Sequence, residues 1–201
     1  MVFLRHGHSQ KNALDRHGGP GLPLTGQGRD QVRDVAKELA SSFGTPSRVF
    51  FCDRVHIEET ARLLADSFGV AHDSDERIRP MGLGVLDGLS RAEAAEKYPE
   101  AADSLQRWRE LGRGLERLNI PLGEDFESFR ARTESFVAER CAEAAAEAPY
   151  TITVTSNSTI IMLVNIAEHG VGVTASQYRN VITANAEYTV FDTETVACGK
   201  G

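Results

Sequence analysis

With 201 residues, the chain is long enough for one α/β domain with a sizeable core. Its formal charge of −7 disfavours nucleic acid and anionic membrane as partners and leaves room for a local basic pocket. No apolar run is long enough to span a bilayer, and no charged leader with an apolar stretch precedes Arg5, so a cytoplasmic protein is the expectation.

In chain order, residues 2–4 begin a strand. The polar, Gly-rich stretch through His17-Gly18-Gly19-Pro20-Gly21 reads as loop. Thr25 resembles an N-cap for a helix over about 28–43, with Val32, Val35, Ala36 and Leu39 on one face. Residues 48–52 read as a buried strand. The spacing of Ile57, Ala61, Leu64, Ala65 and Phe68 predicts a helix over 57–68. Residues 92–118 are helix-rich, with breaks at Pro99 and around Gly112 and Gly114. A long amphipathic helix is expected over 126–148, a third strand over 151–155, and an apolar helix from Ser156 to near Gly170. Residues 188–192 and 195–198 read as a closing hairpin. Strands alternating with helices predict a three-layer α/β/α sandwich with a mixed, mainly parallel sheet. No repeat or linker divides the chain, so one domain over 1–201 is expected. Cys52, Cys141 and Cys198 are far apart and odd in number, which predicts neither a disulfide framework nor a zinc site. No cofactor or metal is expected.

The first strand delivers Arg5-His6-Gly7-His8-Ser9 at its C-terminal end, where α/β sheets place ligands. Arg5 can clamp an anion bidentately, and Gly7 lets the backbone come close. Asn12 follows, then Pro23-Leu24-Thr25-Gly26-Gln27-Gly28 with Gln31 one turn later. Downstream come Gly123-Glu124-Asp125-Phe126-Glu127 and Asn185-Ala186. Together these residues resemble the histidine phosphatase superfamily in its phosphoglycerate-mutase-like branch. The resemblance implies that His6 is a nucleophile that becomes transiently phosphorylated, with Arg5 and Asn12 as phosphate ligands. It also implies a helical lid insert around 90–122.

Three further positions depart from the family pattern. Relatives hold a second Arg ahead of a Thr-Ala pair; anchored on Thr60-Ala61, that position is His56. Arg54 is nearby on a different face. The general acid of relatives falls on Pro80, which has no proton to give. The second His falls on Asn157, followed by Ser158 where other branches place an acid. Asn157 offers a neutral donor, and the helix start at Ser156-Asn157-Ser158-Thr159 remains an anion site through its free N–H groups. The candidate catalytic set is therefore His6, Arg5, His56 and Asn157. Asn12, Arg5, Ser158 and Thr25 are the candidate substrate contacts.

Several residues carry two readings. Asp87 is either a replacement acid or a turn residue before Gly88. Arg109, Arg113 and Arg117 either recognise a second anionic group or form a salt-bridged face with Glu110 and Glu116. Trp108 belongs to a lid or simply packs. His8 and His17 line the loop, and His169 suits a helix C-terminus. Cys52 is a strand-end thiol with no assured basic partner. Three functions stay open: an enzyme with altered chemistry on a small phosphorylated or carboxylated molecule, a residual phosphatase for a substrate with a good leaving group, and a pseudoenzyme binding a phosphorylated ligand or partner. The expected partner is a small anionic substrate, in a monomer or homodimer.

Overall fold

An apolar run without alternation suits a strand covered on both faces. In the computed structural model, which describes residues 1–112, 115, 118–144, 150–179 and 183–191, Val2–Arg5 forms β1, with Val2, Phe3 and Leu4 buried. One helical turn, α1 (Gln10–Ala13), interrupts the stretch read as loop. Ser9 caps it through a reciprocal hydrogen-bonded box with Asn12. Thr25 caps α2 (Gly26–Phe43) by accepting from the Gly28 amide. Then follow β2 (Arg48–Phe51), α3 (Val55–Phe68) and β3 (His72–Ser74). α4 (Arg91–Lys97) and α5 (Pro99–Leu111) divide at Pro99, and Gly112 closes α5 with φ 66°. α6 (Phe126–Ala144), β4 (Thr151–Thr155), α7 (Asn157–His169) and β5 (Tyr188–Val190) complete the order. The second strand of the expected hairpin, 195–198, and the end of the 126–148 helix lie outside the described residues.

The sheet order is β3-β2-β4-β1-β5, and only β5 runs antiparallel. This is the mixed, mainly parallel sheet of a three-layer α/β/α sandwich. The apolar stripes of α2 and α3, with Phe136, Val137 and Cys141 of α6, close over the strands in one core. A second cluster joins Phe126 and Phe129 of α6 to Ile161, Met162 and Ile166 of α7. A third lies under α4 and α5 around Leu86 and Leu105. β1 and β4 are adjacent and parallel, with Arg5 paired to Thr155. Their C-terminal ends therefore put Arg5-His6 and Ser156-Asn157-Ser158 side by side.

Candidate active site

A cavity of about 500 Å³ opens at those two strand ends. Arg5, His6 and Asn12 line it from the first loop, Ser156, Asn157 and Ser158 from the start of α7, Pro80 and Met81 from the crossing loop, and Trp108 and Arg109 from α5. Five cationic side chains reach it (Arg5, Lys11, Arg16, Arg91 and Arg109), against the carboxylates of Asp15 and Glu110. In a chain of net charge −7 this is a local basic pocket.

The loop after β1 is held by close backbone approach. A Cβ at Gly7 would stand 2.6 Å from the Gly28 carbonyl oxygen, and one at Gly28 would stand 2.0 Å from the His8 carbonyl oxygen. The two glycines let α2 dock against the loop itself. Gly7 thus serves a backbone contact within the protein. Thr60 bridges the same region, accepting from the Gly7 amide at 3.2 Å and donating to the His56 carbonyl at 2.7 Å.

His6 is buried, and its Nδ1 lies 2.8 Å from the Gly7 carbonyl oxygen. A carbonyl can only accept, so Nδ1 carries the proton and Nε2 is left with its lone pair. Burial, then His56, Lys11 and Arg5, hold the His6 pKa well below the ordinary histidine range, with the Gly7 carbonyl opposing. A neutral imidazole with a free Nε2 can act as nucleophile or base. Arg5 donates to the Thr183 carbonyl. Asn12 Oδ1 accepts from the Ser9 amide, and Asn185 donates to the His6 carbonyl at 3.1 Å.

His56 stacks edge-on against His6, ring centroids 4.2 Å apart. It is buried, and neither ring nitrogen has a hydrogen-bond partner among the described residues. It stands behind His6 and is not among the residues lining the cavity. Burial, then Lys11, Arg54 and Arg5, push its pKa down to about 3, so it brings no charge at neutral pH. Arg54 is not among the residues lining the cavity and donates to the Asp53 carbonyl.

The sign of the resulting pH dependence follows from linkage. A histidine whose folded pKa lies below its unfolded value contributes stability that is complete above about pH 6.5 and lost as pH falls toward about 3. At pH 5 this amounts to roughly 2 kcal/mol for His56. Urea titrations of wild type and His56→Gln at pH 7 and 5 should show the variant losing about 2 kcal/mol less on acidification. Parallel losses in the two proteins would contradict it.

Asn157 opens α7, and its Oδ1 accepts from the Thr183 amide at 2.9 Å. Its NH₂ group remains as a neutral donor at the cavity. Ser158 Oγ lies 3.0 Å from Ser156 Oγ and accepts from the Met81 amide at 3.3 Å. The loop bearing Pro80 is stitched down further. Thr155 and Thr159 donate to the Ile78 and Arg79 carbonyls, and Arg132 donates to the Arg77, Arg79 and Pro80 carbonyls. Arg132 is itself clamped by Glu124, which also accepts from Arg79 and the Gly82 amide. The Gly-Glu motif near residue 124 therefore supports the Pro80 loop.

Other residues fall to one reading or the other. Thr25 lies outside the cavity lining, where it caps α2 and meets His8 Nδ1 at 3.0 Å. Asp87 accepts from the Gly19 and Leu83 amides and ties two loops together, a turn role. Cys52 is buried, with its thiol pushed up to about 12 by burial, which makes it inert. Trp108 stacks on Tyr178 and also lines the cavity. Arg109 reaches the cavity and its Nη1 lies 3.5 Å from His17 Nδ1, so it is more than part of a solvated face. Arg113 and Arg117 lie outside the described residues. Lys11 was not singled out from sequence; its surroundings emerge only when α1, β1 and α5 converge.

Comparison with known proteins agrees with this geometry. The family model for the histidine phosphatase superfamily, branch 1, matches residues 1–198. The chain is 32% identical over 141 residues to the protein named "Probable phosphoglycerate mutase GpmB" of Enterobacter sp. (strain 638), covering 69% of this chain and 61% of that relative. It is 30% identical over 145 residues to a 2,3-bisphosphoglycerate-dependent phosphoglycerate mutase 2 of Gloeobacter violaceus, covering 70% and 62%. The chain thus matches about three fifths of the length of these curated relatives. Among solved structures, a mycobacterial glucosyl-3-phosphoglycerate phosphatase complexed with VO3 superposes with a TM-score of 0.77 at 24% identity, covering 97% of this chain and 93% of that one. Bacillus stearothermophilus YhfR superposes with a TM-score of 0.74 at 19% identity, covering 92% and 86%. These structures share the fold. The chain belongs to the histidine phosphatase superfamily, branch 1, and is phosphoglycerate mutase- and phosphatase-like.

Proposed function

We propose that this chain is an enzyme that keeps the superfamily's anion cavity and its His6, and performs altered chemistry on a small phosphorylated or carboxylated molecule. Efficient hydrolysis of ordinary phosphomonoesters is not its activity. One observation carries the reading: the residues at the second-Arg, acid and second-His positions, His56, Pro80 and Asn157, bring neither charge nor a proton to the cavity. In this reading Arg5 and Asn12 hold the anion, Asn157 and Ser158 add neutral donors at the helix start, and His6 is the nucleophile or base. The named relatives act on phosphoglycerates, which supports a phosphorylated small molecule as the substrate class. A cytoplasmic, cofactor-independent protein forming one domain, with α4 and α5 as a lid, completes the reading.

A second reading is phosphoryl transfer through His6 to and from a substrate with a good leaving group, such as an acyl phosphate or phosphoramidate. The free Nε2 of His6 favours it, because such a leaving group needs no acid.

The anion cavity is tested by sulfate or phosphate at constant ionic strength. A ligand at a hundredfold excess over its Kd stabilises the fold by about 2.7 kcal/mol, and Tm should rise accordingly. Arg5→Ala should remove most of that rise. Equal shifts in both proteins would mean a general salt effect and would end the reading.

A further inference from the structure

Of the five cations at the cavity, Arg16 and Arg91 are paired with Glu93 and Asp15, while Arg5 comes from β1, Lys11 from α1 and Arg109 from α5. Lys11 stands on a turn whose placement is fixed. The Ser9 and Asn12 side chains close the turn reciprocally, and Asn185 lies 3.5 Å from Asn12 Oδ1 and bonds the His6 carbonyl. Lys11 has no carboxylate at ion-pair distance among the described residues. Asp87 attracts it from a distance, but both Asp87 oxygens are already held by backbone amides. A half-buried ammonium without an ion-pair partner, on the wall of an anion cavity, is an uncompensated charge that a ligand would neutralise.

We propose that Lys11 is the second binding cation of this cavity, supplying with Arg5 the charge that His56 and Asn157 do not. The inference rests on the reading that the cavity binds a small anion.

Its consequence is anion binding that fades on the alkaline side of neutrality. Burial, then Arg5, pushes the Lys11 ammonium down to about 8; Arg109 and Arg54 act the same way and Asp87 opposes. The other groups facing the cavity behave differently. His6, His17 and His56 are held low and are neutral throughout. Arg5, Arg16, Arg91 and Arg109 are guanidiniums, and Asp15 and Glu110 are the lining carboxylates. A guanidinium keeps its proton where an ammonium gives it up. Bound anion favours the charged lysine, so the midpoint in the complex lies above 8.

Sulfate is the probe, since its charge is constant over this range. Its affinity is measured by thermal shift at constant ionic strength, at about pH 6.5 and about pH 9.5. Wild type should bind about ten- to a hundredfold more weakly at the higher pH, the worth of one charge-assisted hydrogen bond. Lys11→Arg should retain its affinity at both values, and Lys11→Met should be weak at both. Lys11→Met binding sulfate like wild type, with the same pH dependence, would overturn the proposal while leaving the cavity reading intact. Loss of the pH dependence in neither variant would overturn it as well. Wild type showing no shift at either pH would remove the cavity reading itself.

Discussion

Phenyl phosphate should be turned over at least about a hundredfold below the usual enzyme range of about 1–10³ s⁻¹, and the triple change His56→Arg, Pro80→Glu, Asn157→His should raise that rate about tenfold or more. The size of the deficit follows from what is missing. A general acid contributes roughly 10²–10⁴-fold and an electrostatic donor about 10²–10³-fold, and these effects do not simply add. The direction of the rescue follows from the scaffold. Arg132, Thr155, Ser158 and Thr159 hold the Pro80 loop against β4 and α7, so a carboxyl placed there enters a defined frame. An arginine at 56 starts beside His6, whose ring centroid lies 4.2 Å from that of His56. Pro80→Glu alone is the weaker test, because proline also fixes the backbone that follows Arg79. Steady-state assays on the folded proteins decide it. A wild-type kcat within the ordinary range, or a folded triple variant with no gain, would each refute the expectation.

Gly28→Ala should destabilise the fold by about 3 kcal/mol, the upper end for forcing a group into packed structure. The new Cβ meets the His8 carbonyl oxygen at 2.0 Å, and that atom belongs to backbone that cannot turn aside. Relief would require α2 to lift from the loop carrying Arg5, His6 and Gly7. Gly26→Ala, two residues earlier in the same helix, is the control. Its Cβ meets nothing within 4 Å, and alanine is the better helix former, so that change should be neutral or stabilising. Urea unfolding of the pair measures both. Equal stabilities would show that the helix yields without cost.

Much of the fold was legible because the signals were local. The Val2-Phe3-Leu4 run, the Thr25 cap, the apolar spacing in α3 and the Pro99 break each carry their own physics, and each appears where expected. β3 was not legible. His72-Asp73-Ser74 is exposed and polar, an edge strand formed because β2 offers it a free ladder, with no apolar pattern to announce it. α1 was missed because a four-residue turn has no periodicity to read; its capping box is the signal that could have found it. Of the candidate site, Arg5, His6, Asn12, Asn157 and Ser158 do converge on one cavity, since β1 and β4 are neighbours. Thr25 was legible as a cap, and that is its place. Lys11 could not be read, and Arg109 could be read only as one of two alternatives, because their surroundings depend on three segments far apart in sequence.

The separation of anion binding from proton donation is tested most directly by a series of phosphate monoesters graded by leaving-group pKa, from nitrophenyl through phenyl to alkyl, assayed at one neutral pH with wild-type protein. With Pro80 at the family's acid position and no side chain assigned to replace it, the leaving oxygen is expected to depart as an anion. The rates should then be low and fall steeply as the leaving group becomes more basic. A flat dependence, with alkyl phosphates turned over at about 1–10³ s⁻¹, would show that a working acid is present and would contradict the altered chemistry proposed for this cavity.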